Sequence, residues 1–121
     1  MQAVLKNPKI RVIRPQGSIN AANALELERD LSAALAHNET NLLIVSLEKV
    51  ESLDSAGLMA LVSALKLAQS IGKRFHLCCV SPSIRIIFEL TQLDRVFEIL
   101  ETEAVLTVSA GDKSKSSLEV S

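Results

Sequence analysis

Residues 54–58, with the sequence Asp-Ser-Ala-Gly-Leu, combine residue types and a position that could support chemistry at a helix start. They follow an apolar run, Leu42–Leu47, after a short polar connector, and they open an amphipathic segment that continues to Gly72. A helix start exposes unpaired N–H groups and a partial positive charge, so it can hold an anion, including a phosphate on Ser55 itself. Asp and Ser are also ordinary helix caps. These five residues alone leave the anion site and the simple cap both open.

Other residues that commonly take part in chemistry lack the spacing for it. His37 and His76 have no Cys, His or Asp at metal-ligand spacing, so hydrogen-bonded structural roles are expected for both. No Gly-x-Ser-x-Gly elbow and no Gly-x-x-x-x-Gly-Lys phosphate loop is present. A phosphorylated Asp of the receiver type would need an acidic cluster for Mg²⁺, and the corresponding strand end carries Ser46 instead. We therefore expect no enzyme activity, no cofactor and no metal site.

The two cysteines are adjacent, Cys78 and Cys79, in a predicted strand. Neighbouring strand residues point to opposite faces, so a disulfide between them would be strained. A redox or metal pair would more commonly have Cys-x-x-Cys spacing. We expect two small buried apolar residues.

Composition limits the classes of partner. The chain has 121 residues, enough for one domain, with a formal net charge of −1 and three Phe but no Tyr or Trp. Nucleic acid and anionic membranes are therefore not expected as partners. No apolar run approaches the roughly 18 residues of a membrane helix, and the N-terminal residues lack a signal-peptide pattern. The sequence predicts a cytoplasmic protein.

Strands and helices alternate along the chain. Strands are predicted at 3–5, 10–14, 42–47, 75–80 and 96–100, and a turn follows the second of them at 15–18. Asn20 is expected to cap a helix over 21–36, and further helices are expected over 58–72, after Ser81-Pro82, and after Thr102. This order predicts an α/β sandwich with a mixed, mostly parallel sheet of about four or five strands and about four helices. Five of the last thirteen residues, 109–121, are Ser, which predicts a disordered tail.

Helical spacing separates two faces on the segment 58–72. The expected core stripe consists of Leu58, Leu61, Val62, Leu65 and Ala68. A second face carries Met59, Ser63, Lys66, Leu67 and Ser70. Met59 and Leu67 bracket the small Ser63, about one turn beyond Ser55. A docking patch and a widened core stripe are both compatible with this pattern.

Three segments together resemble the STAS domain of the bacterial anti-sigma factor antagonists. Residues 17–20, Gly-Ser-Ile-Asn, are similar to the family's Gly-x-Leu-Asp turn, and 42–58 is similar to its strand, loop and Asp-Ser-x-Gly-Leu signature. Residues 80–83 and 88–94 resemble its third helix and the following turn. The resemblance implies one STAS-type domain over 1–108, with helices largely on one face of the sheet. Two departures are Asn20, where the family often has Asp, and Gln92, where Gly is common.

The resemblance implies a partner-switching function. The unphosphorylated protein would bind a serine kinase that is also an anti-sigma factor, phosphorylation of Ser55 would release it, and a PP2C-type phosphatase would reset it. The implied partner-binding residues are Asn20, Asp54, Ser55, Ala56, Gly57, Met59, Ser63 and Leu67. Gly57 would let the backbone of the partner approach closely. An alternative within the same family is an unphosphorylated scaffold or a subunit associated with a transporter.

Elementary electrostatics is compatible with such a switch. A phosphate adds about −1.5 to −2 charges at neutral pH, and the helix start offsets part of that charge. Glu48, Glu51 and Asp54 are close in sequence, so the modified surface would be strongly acidic. A partner surface fitted to a neutral serine would then meet an uncompensated charge. Release would need no refolding.

Overall fold

The computed structural model describes residues 9–102, which form six strands, three α-helices and a 3-10 helix. The strands are β1 (Ile10–Ile13), β2 (Gly17–Ile19), β3 (Leu42–Ser46), β4 (Val50–Leu53), β5 (Arg74–Cys78) and β6 (Glu98–Leu100). The helices are α1 (Ala24–Ala36), α2 (Ser55–Ser70) and α3 (Pro82–Leu90), and the short 3-10 helix Leu93–Arg95 precedes β6. The predicted strand at 3–5, the helix expected after Thr102 and the tail from 109 lie outside the described residues.

The strands form two sheets. The larger sheet has the order β1-β3-β5-β6, and each of its pairings is parallel. The smaller sheet pairs β2 with β4, also in parallel, with Gly17 opposite Val50 and Ile19 opposite Leu53. The predicted α/β class with a mostly parallel sheet is confirmed. The sheet was expected to be mixed because the predicted strands at 3–5 and 10–14 would pair like a hairpin, and residues 3–5 lie outside the described part of the chain.

The smaller sheet is the element that the sequence pattern did not predict. Residues 17–19 belonged to an expected turn, and 50–53 to an expected polar connector. Both strands are short, and in β4 the two central residues, Glu51 and Ser52, are exposed while its two ends are buried. Alternation of apolar and polar residues, the usual signal of a strand, is therefore missing.

All three helices contribute to a core on one face of the larger sheet. This core contains the predicted stripe of α1, namely Ala24, Leu27, Leu31, Ala34 and Leu35. From α3 it takes Ile84 and Phe88, and the Phe88 ring meets Phe97 edge-on, with the ring centres 5.7 Å apart. The expected stripe of α2 is buried except for Val62, which is half-buried. The expectation that the helices lie largely on one face is confirmed for the described residues.

The opposite face of the larger sheet carries a second apolar cluster. Leu42, Ile44 and Cys78 are buried there, and Ile10 and Val12 of β1 pack beside them. None of its members comes from α1, α2 or α3. The larger sheet is thus apolar on both faces, as the continuous apolar sequence of β3 indicated.

Within residues 9–102, two residues other than glycine adopt left-handed backbone conformations. Gln92 has a φ of 63° just after α3, and its N–H donates to the carbonyl of Glu89 at 3.1 Å. Cys79 has a φ of 60° just after β5. The chain therefore turns at Cys79 instead of continuing as an extended strand, and its Sγ lies 3.4 Å from that of Cys78. The expectation that the two cysteine side chains point to opposite faces is wrong for this reason.

Candidate functional site

Ser55 is the first residue of α2, and its side chain is exposed. The cap is supplied by Asp54, whose Oδ1 accepts a hydrogen bond from the Gly57 N–H at 3.1 Å. The carbonyl of Asp54 accepts a second bond, from the Leu58 N–H at 2.9 Å. The capping role therefore falls to the aspartate. The serine hydroxyl stays on the surface, beside the N–H groups that begin the helix.

The smaller sheet brings Asn20 next to this helix start. Ile19 at the end of β2 is paired with Leu53 at the end of β4. The N–H of Asp54 donates to the carbonyl of Ile19 at 3.1 Å. Asn20 and Asp54 thus follow directly after two paired residues at the same edge of one parallel sheet. Two predicted site residues that are far apart in sequence are adjacent in the fold.

Asn20 caps a turn and not the helix itself. Its Oδ1 accepts from the Ala22 N–H at 2.9 Å, and its carbonyl accepts from Ala24 N–H at 2.8 Å. Helix α1 consequently begins at Ala24 and not at Ala21 as predicted. The turn that Asn20 caps holds the chain between β2 and α1 in a fixed conformation.

Asn23 is a second polar residue of this turn, and sequence reasoning missed it. Its Oδ1 accepts from the N–H of Asn20, and its Nδ2 donates to the carbonyl of Ser18, both at 2.9 Å. Asn23 thereby ties the end of β2 to the turn before α1. The available signal was the spacing Asn20-x-x-Asn23. At this spacing the side chain of the second Asn can accept a hydrogen bond from the backbone N–H of the first.

Gly57 is buried and packs on the smaller sheet. A Cβ at this position would lie 2.5 Å from Leu53 Cδ1 and 2.9 Å from Ile19 Cγ2. Both distances are below any ordinary carbon contact. The absence of a side chain therefore lets the first turn of α2 lie against β2 and β4. Packing within the domain is therefore enough to explain a glycine at position 57. The expected close approach of a partner's backbone to Gly57 stays a prediction.

The remaining predicted residues differ in exposure. Met59 is 58% exposed, whereas Ala56, Ser63 and Leu67 are half-buried. Ala56 and Leu67 pack against the main core. Of the residues in the predicted docking patch, Met59, one helical turn from Ser55, is the most exposed, and Leu67 packs largely in the widened core stripe.

Exposed charged side chains, acidic ones and Lys49, lie on the connection that leads to the helix start. Glu48, Glu51 and Asp54 are all exposed on the connection from β3 through β4 to α2. Within residues 9–102, no three His, Cys, Asp or Glu side chains gather as metal ligands. None of the helices in that range is long and apolar enough to cross a membrane. The helix start is an exposed surface that carries the Asp54 carboxylate and the Ser55 hydroxyl, with a second exposed hydroxyl on Ser52 of β4.

The family description STAS domain matches residues 2–106, so this chain belongs to the STAS domain family. A similar curated protein is the TM1081 homolog of Thermotoga neapolitana, assigned as an anti-sigma factor antagonist. It is 31% identical over 93 residues, which cover 75% of this chain and 80% of the relative.

Solved structures share the fold. An anti-sigma factor antagonist from Mycobacterium paratuberculosis superposes with a TM-score of 0.75 and 25% identity, over 91% of this chain and 92% of the other. The antagonist SpoIIAA in its unphosphorylated form gives a TM-score of 0.72 at 19% identity, over 89% and 93% of the two chains. The phosphorylated form of SpoIIAA, from Bacillus, gives a TM-score of 0.64 at 20% identity, over 94% of this chain and 98% of the other. The STAS domain of a SulP transporter from Vibrio cholerae has the same fold, with a TM-score of 0.66, 14% identity, and 92% and 89% coverage.

Proposed function

We propose that this protein is an anti-sigma factor antagonist that works by partner switching. In its unphosphorylated state it binds a serine kinase that also serves as the anti-sigma factor. Phosphorylation of Ser55 releases it, and a PP2C-type phosphatase restores the binding state. The observation that carries this proposal is the exposed Ser55 at the first position of α2, directly after the capping Asp54.

The fold tolerates a phosphate on Ser55. The side chain is exposed, so the added group enters solvent and displaces no core residue. The dipole of a helix start stabilises a nearby negative charge by about 0.3–1 kcal/mol. The cap itself is made by Asp54 and not by the hydroxyl, so phosphorylation leaves it unchanged. The free energy of unfolding is therefore expected to change little upon phosphorylation.

A bound partner would not tolerate the same phosphate. The exposed carboxylate of Asp54 is directly beside Ser55 in the sequence, and Glu51 is exposed on the strand that leads to it. A phosphate adds about −1.5 to −2 further charges. Burying that charge in an interface shaped for a neutral hydroxyl costs several kcal/mol unless the partner supplies a counter-charge. The same modification is thus nearly neutral for folding and strongly unfavourable for binding.

Relatives support both the proposed anti-sigma factor partner and the proposed phosphorylation. The Thermotoga neapolitana relative is assigned as an anti-sigma factor antagonist, which indicates an anti-sigma factor as the partner. SpoIIAA, which shares the fold, has been solved with and without phosphorylation. Kinase and phosphatase activity are assigned to partners, because no three His, Cys, Asp or Glu side chains of residues 9–102 gather to hold the metal ions that phosphoryl transfer uses.

Phosphorylation is tested with an anti-sigma kinase from the same genome, Mg²⁺ and ATP. Labelled phosphate is expected on the wild type and on Ser52→Ala, which removes an exposed serine of β4 close to the site. The Ser55→Ala protein should carry no label. Labelling of Ser55→Ala to the wild-type extent would refute Ser55 as the acceptor.

Release is tested by measuring affinity for the same kinase by calorimetry. Unphosphorylated wild type and Ser52→Ala should bind equally. Phosphorylated protein and Ser55→Asp should bind at least about 100-fold more weakly, corresponding to about 3 kcal/mol. Equal affinity of wild type and Ser55→Asp would contradict the switch. If the protein binds a transporter and substitution of Ser55 leaves that affinity unchanged, the alternative function is favoured.

A further inference from the structure

Cys78 and Cys79 form a pair of thiols in contact, outside the surface around Ser55. The thiol of Cys79 donates a hydrogen bond to the sulfur of Cys78, with the two Sγ atoms 3.4 Å apart. Adjacent residues of a regular strand would direct their side chains to opposite faces. The φ of 60° at Cys79 turns its side chain back beside Cys78, and both pack with Leu42 and Ile44.

The two thiols differ in their access to solvent. The Cys78 side chain has 0% exposure, whereas Cys79 is half-buried. A small dissolved oxidant therefore reaches Cys79 first. Cys78 lies behind it. The two Sγ atoms need to approach each other by only about 1.4 Å to reach the S–S bond length of about 2.05 Å.

We propose that Cys78 and Cys79 are a site of reversible oxidation by hydroperoxides, at which the two sulfurs form a disulfide within one chain. In the first step the Cys79 thiol releases its proton, the thiolate attacks an oxygen of hydrogen peroxide, and the O–O bond breaks to give sulfenic acid and hydroxide, which takes up the proton to become water. In the second step the Cys78 thiolate attacks Cys79 Sγ, the S–O bond breaks, and hydroxide leaves to become water. In total the two thiols lose two protons and two electrons, and these reduce one hydrogen peroxide to two waters.

The geometry makes this disulfide easy to reduce. Adjacent Cα atoms are about 3.8 Å apart across a trans peptide bond. Ordinary disulfides join Cα atoms about 4.4–6.8 Å apart, so the bridge between Cys78 and Cys79 is strained. Strained disulfides are labile and behave as regulatory bonds. The oxidised form is therefore expected to return to the dithiol with a mild thiol reductant.

Ring closure also acts on the surrounding sheet. The peptide group between Cys78 and Cys79 becomes part of an eight-membered ring. Its carbonyl accepts from the Leu47 N–H at 3.0 Å, where β3 ends, and its N–H donates to the Leu100 carbonyl at 3.1 Å, in β6. Distortion of this peptide weakens two links between neighbouring strands. The amide protons of Leu47 and Cys79 report on it directly.

The test uses the full-length wild-type protein and hydrogen peroxide, followed by intact mass measurement. A monomer lighter by about two mass units is expected, with no thiol left for alkylation and with full recovery in dithiothreitol. A Cys78–Cys79 peptide should carry the loss. Covalent dimers, oxygen adducts as the main product, or two thiols that remain reactive would each overturn the proposal.

Two single variants test the order of events. The Cys78→Ser protein should accumulate a sulfenic acid at Cys79, trapped by dimedone, because the second thiol is missing. The Cys79→Ser protein should react with peroxide at least about tenfold more slowly, because the remaining thiol is buried.

Faster amide exchange at Leu47 and Cys79 is expected in oxidised wild type. Unchanged exchange at both would contradict closure of the ring through this peptide.

Discussion

The N–H of Asp54 donates a hydrogen bond to the carbonyl oxygen of Ile19 at 3.1 Å. This bond extends the pairing of β2 with β4 by one residue beyond Ile19 and Leu53. It fixes the backbone at the position where Asp54 must accept from the Gly57 N–H. The helix start that carries Ser55 is thus anchored to β2, an element far away in sequence.

The capping aspartate should contribute to stability mainly through its hydrogen bond. Replacing Asp54 with Ala removes the acceptor for the Gly57 N–H, and a loss of about 1 kcal/mol in the free energy of unfolding is expected. Asn caps about as well as Asp, so Asp54→Asn should cost less than half as much. Urea titration of the three proteins measures the difference. Equal losses in the two variants would indicate that the charge, and not the cap, is responsible.

A methyl group at Gly57 should destabilise the protein. Ala is favoured over Gly inside a helix by about 1 kcal/mol, but here its Cβ would meet Leu53 Cδ1 at 2.5 Å and Ile19 Cγ2 at 2.9 Å. Gly57→Ala is therefore expected to lose about 1–3 kcal/mol by overpacking.

The Leu53→Ala background provides the control for Gly57→Ala. It removes the nearer of the two side-chain contacts, so Gly57→Ala should cost less there than in wild type, as a double-mutant cycle of unfolding free energies would reveal. A stabilising effect of Gly57→Ala in the wild-type background would refute the packing argument.

Glycine at position 92 should stabilise the protein. Gln92 has a φ of 63°, a conformation that costs residues with a Cβ about 1 kcal/mol or more and costs glycine little. Gln92→Gly is expected to raise the free energy of unfolding by about 1 kcal/mol. Gly72 has a φ of 73° and open space around it, so Gly72→Ala should lose a similar amount for the same backbone reason. Thermal and urea unfolding measure both, and effects of the same sign in the two variants would contradict this account.

His76 should make stability depend on pH. Burial, and then the charge of Arg74, lower the pKa of His76 from its ordinary value of 6.5, while Glu98 acts in the opposite direction. The unfolded chain therefore binds the proton first as the pH falls. The contribution of neutral His76 is complete above about pH 6.5 and is lost as the pH drops through 6.5 toward the lower pKa of the folded state.

Unfolding titrations at about pH 7.5 and about pH 5.5 measure this effect. His76 is buried, and its Nδ1 has no hydrogen-bond partner within the described structure, so His76→Leu is a suitable variant. Its stability should change less between the two pH values than that of wild type. An equal pH effect in His76→Leu and wild type would refute the assignment.

Sequence patterns predicted the elements that bury a long apolar face. The stripe of α1 and the continuous apolar run of β3 each extend over enough residues for their periodicity to be decisive. The Ser81-Pro82 helix start was predicted for a local reason, and Ser81 Oγ does accept from the Ile84 N–H at 3.3 Å. The signature at 54–58 likewise placed Ser55 at a helix start.

Features that depend on contacts between distant residues could not be predicted in this way. The strands β2 and β4 have three and four residues, and they are stabilised by pairing with each other and not by a local pattern. The buried position of Gly57 requires the coordinates of Ile19 and Leu53. The contact between Cys78 and Cys79 depends on one backbone angle at Cys79, which no alternation of residue types encodes.

The division into two sheets has an evolutionary consequence. Asn20 and Ser55 follow the strands of the small sheet, whereas most of the apolar sheet residues belong to the larger one. Under the proposed function, substitutions at exposed positions of these strands, such as Ser18 and Ser52, would alter which partner is recognised at little cost to folding. Under the same proposal, duplicated copies of the gene would come to recognise different partners through a few surface substitutions. The rest of the domain would stay under selection for stability alone.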